Sequence, residues 1–268
     1  MMSRIKSGIF LTGIFFLSFL FAQHTIQFVK LAKFKAEEAR QGVAVDEQFF
    51  YAIDSRKIAK YLKTTGKLIK KWEERENGPI IHLDSGVIVN GKLVCAHSNY
   101  PGIPMTSSVE IWDAETLEHI ETHSFGIRWG SCTWIDRHND HWWAAFAHYD
   151  QFEDQTGTTN AYTVLVQFDD QWNELESWTY PSVVLERFDG MSNSGGSWGP
   201  DGRLYITGHD QGEIYAMSLP EAGSQFILEE IIPIDIEGQG IAWDREREYI
   251  LYGIRRSQTE VVVFHMIK

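Results

Sequence analysis

Three histidines stand at one position of an internal repeat, in the segments LVCAHSN, AAFAHYD and YITGHDQ. They are His97, His148 and His209. In a closed repeat architecture, equivalent positions of successive units lie at one height around a common axis, so residues distant in sequence can face one cavity. Imidazole titrates near neutral pH and is a common metal ligand. The triplet therefore predicts acid–base or metal chemistry in one central site.

The metal hypothesis has the three imidazoles bind a divalent transition metal (Zn, Mn or Fe), with one coordination position left for water or substrate. Gln239 or Asp210 would complete the ligand set. Without a metal, His148 or His209 would act as a general base, and Tyr149 would donate a proton. The alternative is that each histidine caps its strand by bonding to a nearby carbonyl or carboxylate.

Polar and aromatic residues in the connecting segments are candidates for binding a substrate. Arg128 or Arg187 would hold an anionic group, and Trp129 would stack on a sugar ring; the alternative for Trp129 is packing in the core or rim. The other candidates, in segments that reach the same face, are His82, Asn193 and Ser194. Two long loops directly follow the first two repeated histidines, and long loops on one rim commonly form a binding site.

The repeat itself predicts the elements that position these residues. Segments that begin near residues 41, 85, 131, 194 and 238 each consist of an apolar run, a polar turn and a second apolar run. Another pair of alternating runs follows each of the first four. Four antiparallel strands in each unit are typical of a propeller blade. The sequence therefore predicts an all-β fold with a single propeller of five four-stranded blades.

The last unit supplies three strands only and ends with EVVVFHM at residues 260–266. The N-terminal run HTIQFVKLAKF at residues 24–34 has no partner in the first unit. We expect it to complete the last blade and close the ring, which leaves no exposed sheet edge between the first and last units. The alternative is six blades, which would require the long third unit to be divided.

The segment SGGSWGPDGRLYITGH at residues 194–209 resembles the strand-turn-strand unit of gluconolactonase-like and YVTN-type propellers. The resemblance implies a propeller fold. In the gluconolactonase-like group it also implies an axial divalent metal held by Glu, Asn and Asp. The position that corresponds to the Asn is Ser194, and its repeat equivalents are Gln41, Ser85, Ser131 and Gln239. A calcium site of that type is therefore not expected.

The N-terminus predicts an export signal at residues 1–22 and leaves residues 23–268 for the propeller. Arg4 and Lys6 precede an uncharged apolar run that ends before Ala22. This is the pattern of a secretory signal peptide, and the run is shorter than the roughly 20 residues of a membrane-spanning helix. We expect a secreted or periplasmic protein with no membrane span after cleavage; the alternative is an uncleaved N-terminal anchor.

Charge and cysteine content exclude some classes of partner and scaffold. The formal charge is −13, and it becomes −15 when Arg4 and Lys6 are removed with the signal, which argues against nucleic acid. Two cysteines, Cys95 and Cys132, are too few for a disulfide scaffold. They either pair with each other or are two buried free thiols. Nothing in the chain predicts an oligomer, so we expect a monomer.

These observations predict a secreted enzyme, a metal-assisted or histidine-based hydrolase or lyase. Its substrate would be a small oxygen-rich molecule such as a sugar acid, a lactone or a glycan fragment. The alternative is a non-catalytic propeller that binds a glycan or a protein through its rim.

Overall fold

The computed structural model describes residues 25–268, which form five four-stranded antiparallel sheets. The innermost strands of the sheets contact one another in order around a ring, and the ring closes between the fifth sheet and the first. The predicted five-bladed propeller is therefore confirmed. The predicted signal peptide at residues 1–22 lies outside the described residues.

The chain enters the ring through β1 (Gln27–Lys35) and then builds the blades in order. The first blade contains β2 (Gly42–Val45), β3 (Phe49–Asp54), β4 (Lys57–Leu62) and β5 (Leu68–Glu73). The second contains β6 (His82–Val89), β7 (Lys92–Ser98), β8 (Ser107–Asp113) and β9 (His119–Gly126). The third contains β10 (Ser131–His138), β11 (His141–Ala147), β12 (Val164–Phe168) and β13 (Glu174–Thr179). The fourth contains β14 (Gly195–Trp198), β15 (Leu204–Thr207), β16 (Glu213–Ser218) and β17 (Ile227–Pro233). The fifth contains β18 (Ala242–Trp243), β19 (Ile250–Arg255) and β20 (Glu260–Ile267), with β1 as its outermost strand.

The N-terminal strand closes the ring as predicted. β1 runs antiparallel to β20, with Gln27 opposite Ile267 and Lys35 opposite Glu260. Both ends of the described chain therefore belong to one blade, whose hydrogen bonds hold the first and last units together. This pairing also covers one edge of β20, which would otherwise expose unpaired backbone groups.

The six-bladed alternative is wrong, because the extra length of the third unit is loop rather than sheet. The connection from β11 to β12 contains a one-turn helix, α1 (Glu153–Thr156), between two short 3-10 turns. A second short helix, α2 (Ser182–Arg187), precedes β14. No helix in residues 25–268 is both long and apolar enough to cross a bilayer.

The hydrophobic core consists of layers between neighbouring blades. Trp134, Trp198 and Trp243, which recur at similar places of three units, are all buried, and they pack in the layers on either side of the fourth blade. Aromatic side chains remove a large apolar area from water, so repeated tryptophans hold adjacent blades together. Their predicted packing role is confirmed.

We call the end of the ring where the first strand of each blade begins and the second strand ends the upper face. Here the inner strands of blades one, two and five approach closely. A Cβ atom on Gly240 would lie 2.6 Å from the Ser85 hydroxyl and 2.8 Å from the Gly42 Cα. Only glycine allows backbones to come this near one another. The channel is therefore narrow at this level, and the polar groups around it are forced together.

Cys95 and Cys132 do not form a disulfide within residues 25–268. Both are fully buried on the inner half of their blades. Burial raises the pKa of both thiols, because the thiolate would lose its solvation. Of the two alternatives for this pair, the structure shows the buried free thiols, which are unreactive near neutral pH.

Candidate functional site

The three repeated histidines lie on consecutive blades near the upper face, but their rings bond to separate groups. His97 lies 2.9 Å from the Ser108 hydroxyl through Nδ1, and its Nε2 accepts the Ile81 amide at 3.2 Å. His209 lies 2.7 Å from an Asp210 carboxylate oxygen. Each ring is thus held at the end of its own strand, which is the capping alternative.

His148 is fixed in the same way. Its Nδ1 lies 2.8 Å from the Thr158 hydroxyl, and its Nε2 lies 3.0 Å from the backbone carbonyl of Trp129. Burial lowers the pKa of His148, although the hydrogen bond to that carbonyl opposes the shift. Because both nitrogens bond to fixed groups of the fold, the structure gives His148 a positioning role for the long loop after β11.

The predicted metal has no ligand set in the described structure. Among residues 25–268, no group of three or more His, Cys, Asp or Glu side chains could hold a metal ion. Gln239, the proposed fourth ligand, donates from Nε2 to the His209 backbone carbonyl at 2.9 Å and is buried. The metal site stays a prediction, and no chemical step proposed for this protein uses one.

The two arginines predicted to bind an anion are already paired. Arg128 bonds to Glu174 and lies over the Trp129 ring at 4.5 Å. Arg187 forms two bonds to Glu213, at 2.8 and 2.6 Å. An anionic substrate would have to break an existing ion pair to bind either guanidinium group. The Trp129 ring itself packs against Phe146, with ring centroids 5.9 Å apart.

Asn193 and Ser194 are buried and belong to the frame of the fourth blade. The Asn193 amide oxygen accepts from Trp134 Nε1 at 2.6 Å and from the Tyr180 hydroxyl at 2.7 Å. Its amide nitrogen donates to the Gly195 and Thr207 carbonyls, both at 2.9 Å. All the hydrogen-bond donors and acceptors of its side chain are therefore paired inside the protein. The Ser194 hydroxyl lies 2.7 Å from that of Ser192.

A different set of side chains meets around His82, where blades one and two join at the upper face. His82 Nδ1 lies 3.2 Å from the Ser55 hydroxyl oxygen. On the other side of the ring, His82 Nε2 lies 3.6 Å from Asp84 Oδ2. Gln41 donates from Nε2 to the Ser55 hydroxyl at 3.1 Å. Of the predicted substrate-binding residues, His82 therefore lies at the centre of the candidate site.

Asp84 is the unusual member of this group, because it is a buried carboxyl group without a counter-charge. Its exposed fraction is 5%, and within the described chain its Oδ2 atom has no hydrogen-bond partner. Native proteins rarely leave such an atom unpaired, and exceptions tend to mark functional groups. The adjacent Ser85 hydroxyl is buried and unpaired as well. A shift in register between β6 and β7 at these two residues forms a β-bulge, a feature that is frequent beside active sites.

Burial shifts the pKa values of both members of the His82–Asp84 pair toward their neutral forms. Loss of solvation raises the pKa of Asp84 well above its ordinary value. Burial, together with smaller contributions from the charges of His97 and His209, lowers the pKa of His82 to about 4. His82 is therefore an unprotonated imidazole at neutral pH, which is the form that a general base requires.

Aromatic rings line one side of the site. Tyr100 lies 5.1 Å from the His82 ring and 5.0 Å from the Tyr149 ring, measured between centroids. Gln151, in the long loop of the third blade, donates to the Tyr100 hydroxyl at 2.9 Å. Tyr149, predicted as a proton donor, is buried behind Tyr100, and burial and the Asp84 charge raise its pKa. Its hydroxyl thus stays protonated.

The sequence contains a signal for the His82–Asp84 pair but none for the residues that surround it. His82 and Asp84 are two residues apart on one strand, so they share a face of the sheet, and that spacing could have identified the pair. Ser55 and Gln41 come from the preceding blade, and Tyr100 comes from a loop. Their approach depends on how neighbouring blades dock, which no local pattern records.

Comparison with known proteins confirms the fold and goes no further. No protein-family model matches the chain, and no curated protein matches it. The gluconolactonase-like resemblance is therefore not confirmed beyond the propeller architecture.

Solved structures give the same result. Glutaminyl cyclase from Myxococcus xanthus is similar with a TM-score of 0.60 and 9% identity, over 91% of this chain and 98% of that one. Hydrazine synthase from Kuenenia stuttgartiensis gives 0.48 and 10%, over 82% and 70% of the two chains. A chain of a mitotic checkpoint complex gives 0.48 and 11%, over 98% of both. At 9% identity, the likeness to glutaminyl cyclase shows the fold alone, and the two likenesses with scores of 0.48 carry no argument.

Proposed function

We propose that the protein is an enzyme in which His82 acts as a general base on a small, neutral, oxygen-rich substrate. The observation that carries the proposal is the buried, unpaired Asp84 carboxyl directly behind a half-buried, unprotonated imidazole. An enzyme needs a base whose free form is populated at working pH, and an acidic partner that orients it. Within residues 25–268, Asp84 Oδ2 makes no hydrogen bond that would explain its position structurally.

The reaction class that this arrangement supports best is hydrolysis. The proton acceptor is His82, whereas the sequence had favoured His148 or His209. The ordinary fate of a buried carboxyl group is to be paired or hydrogen-bonded, as Asp136 is with Arg245 at the other end of the channel, at 2.7 Å. Asp84 lacks such a partner, and that desolvated state costs stability, which evolution retains mainly where it serves chemistry.

The charge around His82 favours a neutral substrate over an anionic one. The groups around the imidazole are hydroxyls, a carboxamide and a phenol, supplied by Ser55, Gln41 and Tyr100. Arg128 and Arg187 are held by glutamates elsewhere on the face. A lactone, an ester or a glycan fragment would find donors and acceptors here, whereas a sugar acid would bring a carboxylate beside Asp84 without a free cation. We therefore omit sugar acids from the proposed substrates.

The fold is compatible with catalysis, since glutaminyl cyclase has the same architecture. This likeness is an analogy of fold and does not assign that reaction to the present chain. It is a reason to include a compound with a glutaminyl group among the test substrates. The gluconolactonase-like segment is a reason to include simple lactones.

The test is an activity comparison of the wild type with His82→Gln on neutral p-nitrophenyl esters, lactones and a glutaminyl compound. We expect kcat/KM to fall by at least about 100-fold, because the base is removed while a similar volume and polarity remain. His138→Gln is the matched control, since that histidine is also half-buried but lies at the lower end of β10, where its ring stacks on Trp198 at 4.4 Å. It should retain activity within about threefold.

Two results would overturn the proposal. The first is turnover that is unchanged in His82→Gln. The second is the absence of turnover in the wild type together with glycan binding that survives His82→Gln. The second result would identify a binding propeller, the alternative that the sequence left open.

A further inference from the structure

We propose that Ser55 is the nucleophile of this site, so that Ser55, His82 and Asp84 form a catalytic triad assembled from two blades. The inference rests on the proposed function, because it assumes that His82 is the base. It adds a covalent intermediate and restricts the substrates to acyl compounds such as esters and lactones.

The geometry orders the three side chains as nucleophile, base and orienting acid. The Ser55 hydroxyl oxygen lies 3.2 Å from His82 Nδ1, and His82 Nε2 lies 3.6 Å from Asp84 Oδ2. The second distance is longer than a hydrogen bond, and such contacts are often loose before a substrate binds. A triad is recognised by geometry and roles rather than by order in the chain. Here the two imidazole nitrogens exchange the roles they have in the serine-protease arrangement.

The acid is the most deeply buried of the three residues. Ser55 is half-buried at the upper face, the His82 side chain is 17% exposed, and Asp84 lies beneath it with an exposed fraction of 5%. A substrate can therefore approach the hydroxyl and the imidazole, while the acid stays away from water. This arrangement is the one that nucleophilic catalysis requires.

The fold fixes the Ser55 hydroxyl against the next blade. Ser55 is one of the two residues that turn the chain between β3 and β4, where Asp54 pairs with Lys57. Its backbone carbonyl accepts the Leu83 amide of β6 at 2.8 Å. Its amide donates to the Asp54 carboxylate at 2.8 Å. Ser55 is thus hydrogen-bonded to Asp54 in its own blade and to Leu83 in the next blade. The contact between Ser55 and His82 therefore does not depend on a flexible loop.

The acylation step balances with the groups present. Ser55 Oγ forms a bond to the substrate carbonyl carbon, and its proton moves to His82 Nδ1. The tetrahedral intermediate then breaks the bond between carbon and the leaving oxygen, which takes the proton from Nδ1. An acyl-enzyme and an alcohol result; with a lactone, the alcohol stays attached to the acyl group.

Water completes the cycle by the same route. It gives a proton to His82 Nδ1 and adds to the acyl carbon, and the Ser55–carbon bond then breaks as Ser55 regains the proton. The products are a carboxylic acid and the enzyme in its original state. Gln41 Nε2, now a donor to the Ser55 hydroxyl, is placed to donate to the oxyanion that forms beside it.

The experiment uses a fluorophosphonate probe and p-nitrophenyl acetate with the full chain, followed by intact mass and peptide mapping. We expect one covalent adduct, on Ser55. Ser55→Ala should lose the adduct and at least about 100-fold in ester turnover. Ser257→Ala is the matched control, because Ser257 lies in the corresponding turn of the fifth blade and bonds to Glu237 rather than to a histidine. It should be labelled and active as the wild type is.

A second variant covers the case in which Ser55→Ala does not fold. Ser55→Cys keeps the hydrogen-bonding shape, and its thiol beside His82 should react with iodoacetamide at least about tenfold faster than that of Ser257→Cys. The inference is overturned by an adduct on another residue, by full labelling of Ser55→Ala, or by equal thiol reactivity of the two cysteine variants. If Ser55→Ala keeps its turnover while His82→Gln loses it, Ser55 is not the nucleophile, yet the general base stands.

Discussion

Replacing Asp84 by Asn is expected to lower turnover by about 1,000-fold and, at pH 8, to make the protein more stable. Catalysis requires His82 to carry its proton on Nε2, so that Nδ1 is free to accept one. An ionised Asp84 would hold that tautomer by accepting from Nε2 once substrate binding shortens the 3.6 Å separation. An Asn amide would donate to Nε2, place the proton on Nδ1 and so block the base.

The gain in stability follows from the burial of the same group. The folded-state pKa of Asp84 is raised, so the native protein holds a proton that the unfolded chain releases above pH 3.8. Stability from this residue is complete below the unfolded pKa, and it falls as pH rises through the folded pKa. Asn has no charge to bury and avoids that loss. We expect about 1–2 kcal/mol of stabilisation at pH 8, typical of a functional site that is relieved of its strain.

Thermal unfolding at pH 5 and at pH 8 measures this effect, and the advantage of Asp84→Asn should be greater at pH 8. Asp136→Asn is the matched control, because Asp136 is also a buried aspartate on an inner strand, but it is paired with Arg245 and bonds to the Trp198 amide at 2.7 Å. Its replacement should destabilise the protein. If the Asp84→Asn variant melts at a lower temperature than the wild type at pH 8, the Asp84 carboxylate is stabilised by its surroundings and the prediction is wrong.

Replacing Asn193 by Ala is expected to destabilise the protein by about 3–4 kcal/mol without a direct effect on the His82 site. The side chain joins β10 to β14 and β15 through four hydrogen bonds, two of them from Trp134 and Tyr180. Alanine leaves those buried donors and two carbonyls without this partner. Each unpaired buried group costs about 1–3 kcal/mol. The total cost is smaller than four such losses, because the Thr207 carbonyl keeps a hydrogen bond from the Ser194 amide at 3.2 Å.

Calorimetry or circular dichroism should show a melting temperature about 10 °C lower, at the usual 2–4 °C per kcal/mol for a chain of this size. Asn173→Ala is the control, since Asn173 is exposed and bonds to Asp169 within a single turn. It should melt within about 2 °C of the wild type. An unchanged melting temperature in Asn193→Ala would mean that Asn193 does not join the third and fourth blades.

The fold followed from the sequence because its signals are local and repeated. Alternating strands, polar turns and the unpaired N-terminal segment are each visible within a few residues, and ring closure by β1 follows from counting them. Trp134, Trp198 and Trp243 recur at one height, so their packing could be predicted as well. The loop in the third unit was the only ambiguous stretch.

The site could be predicted less well, because equivalent positions in a repeat need not have side chains that point to the axis. His97, His148 and His209 share a height but cap their own strands, since a nearby hydroxyl, carbonyl or carboxylate satisfies each ring. The Asp84 carboxyl stands out only through its lack of a partner, which is a property of three-dimensional packing. Ser55 joins it from another blade, and the contact depends on docking between sheets.

The most direct test of the proposed catalytic site is the pH dependence of kcat/KM for ester hydrolysis. Activity requires ionised Asp84 and neutral His82, and the groups that face them are Tyr149 and Cys132, both protonated, together with His97 and His209. We predict an acid limb whose midpoint lies well above 3.8, because protonated Asp84 would donate to Nε2 and block the base. The limb should be absent from the residual activity of Asp84→Asn. A limb that persists unchanged in that variant, or a flat profile in the wild type, would contradict the assignment of this site.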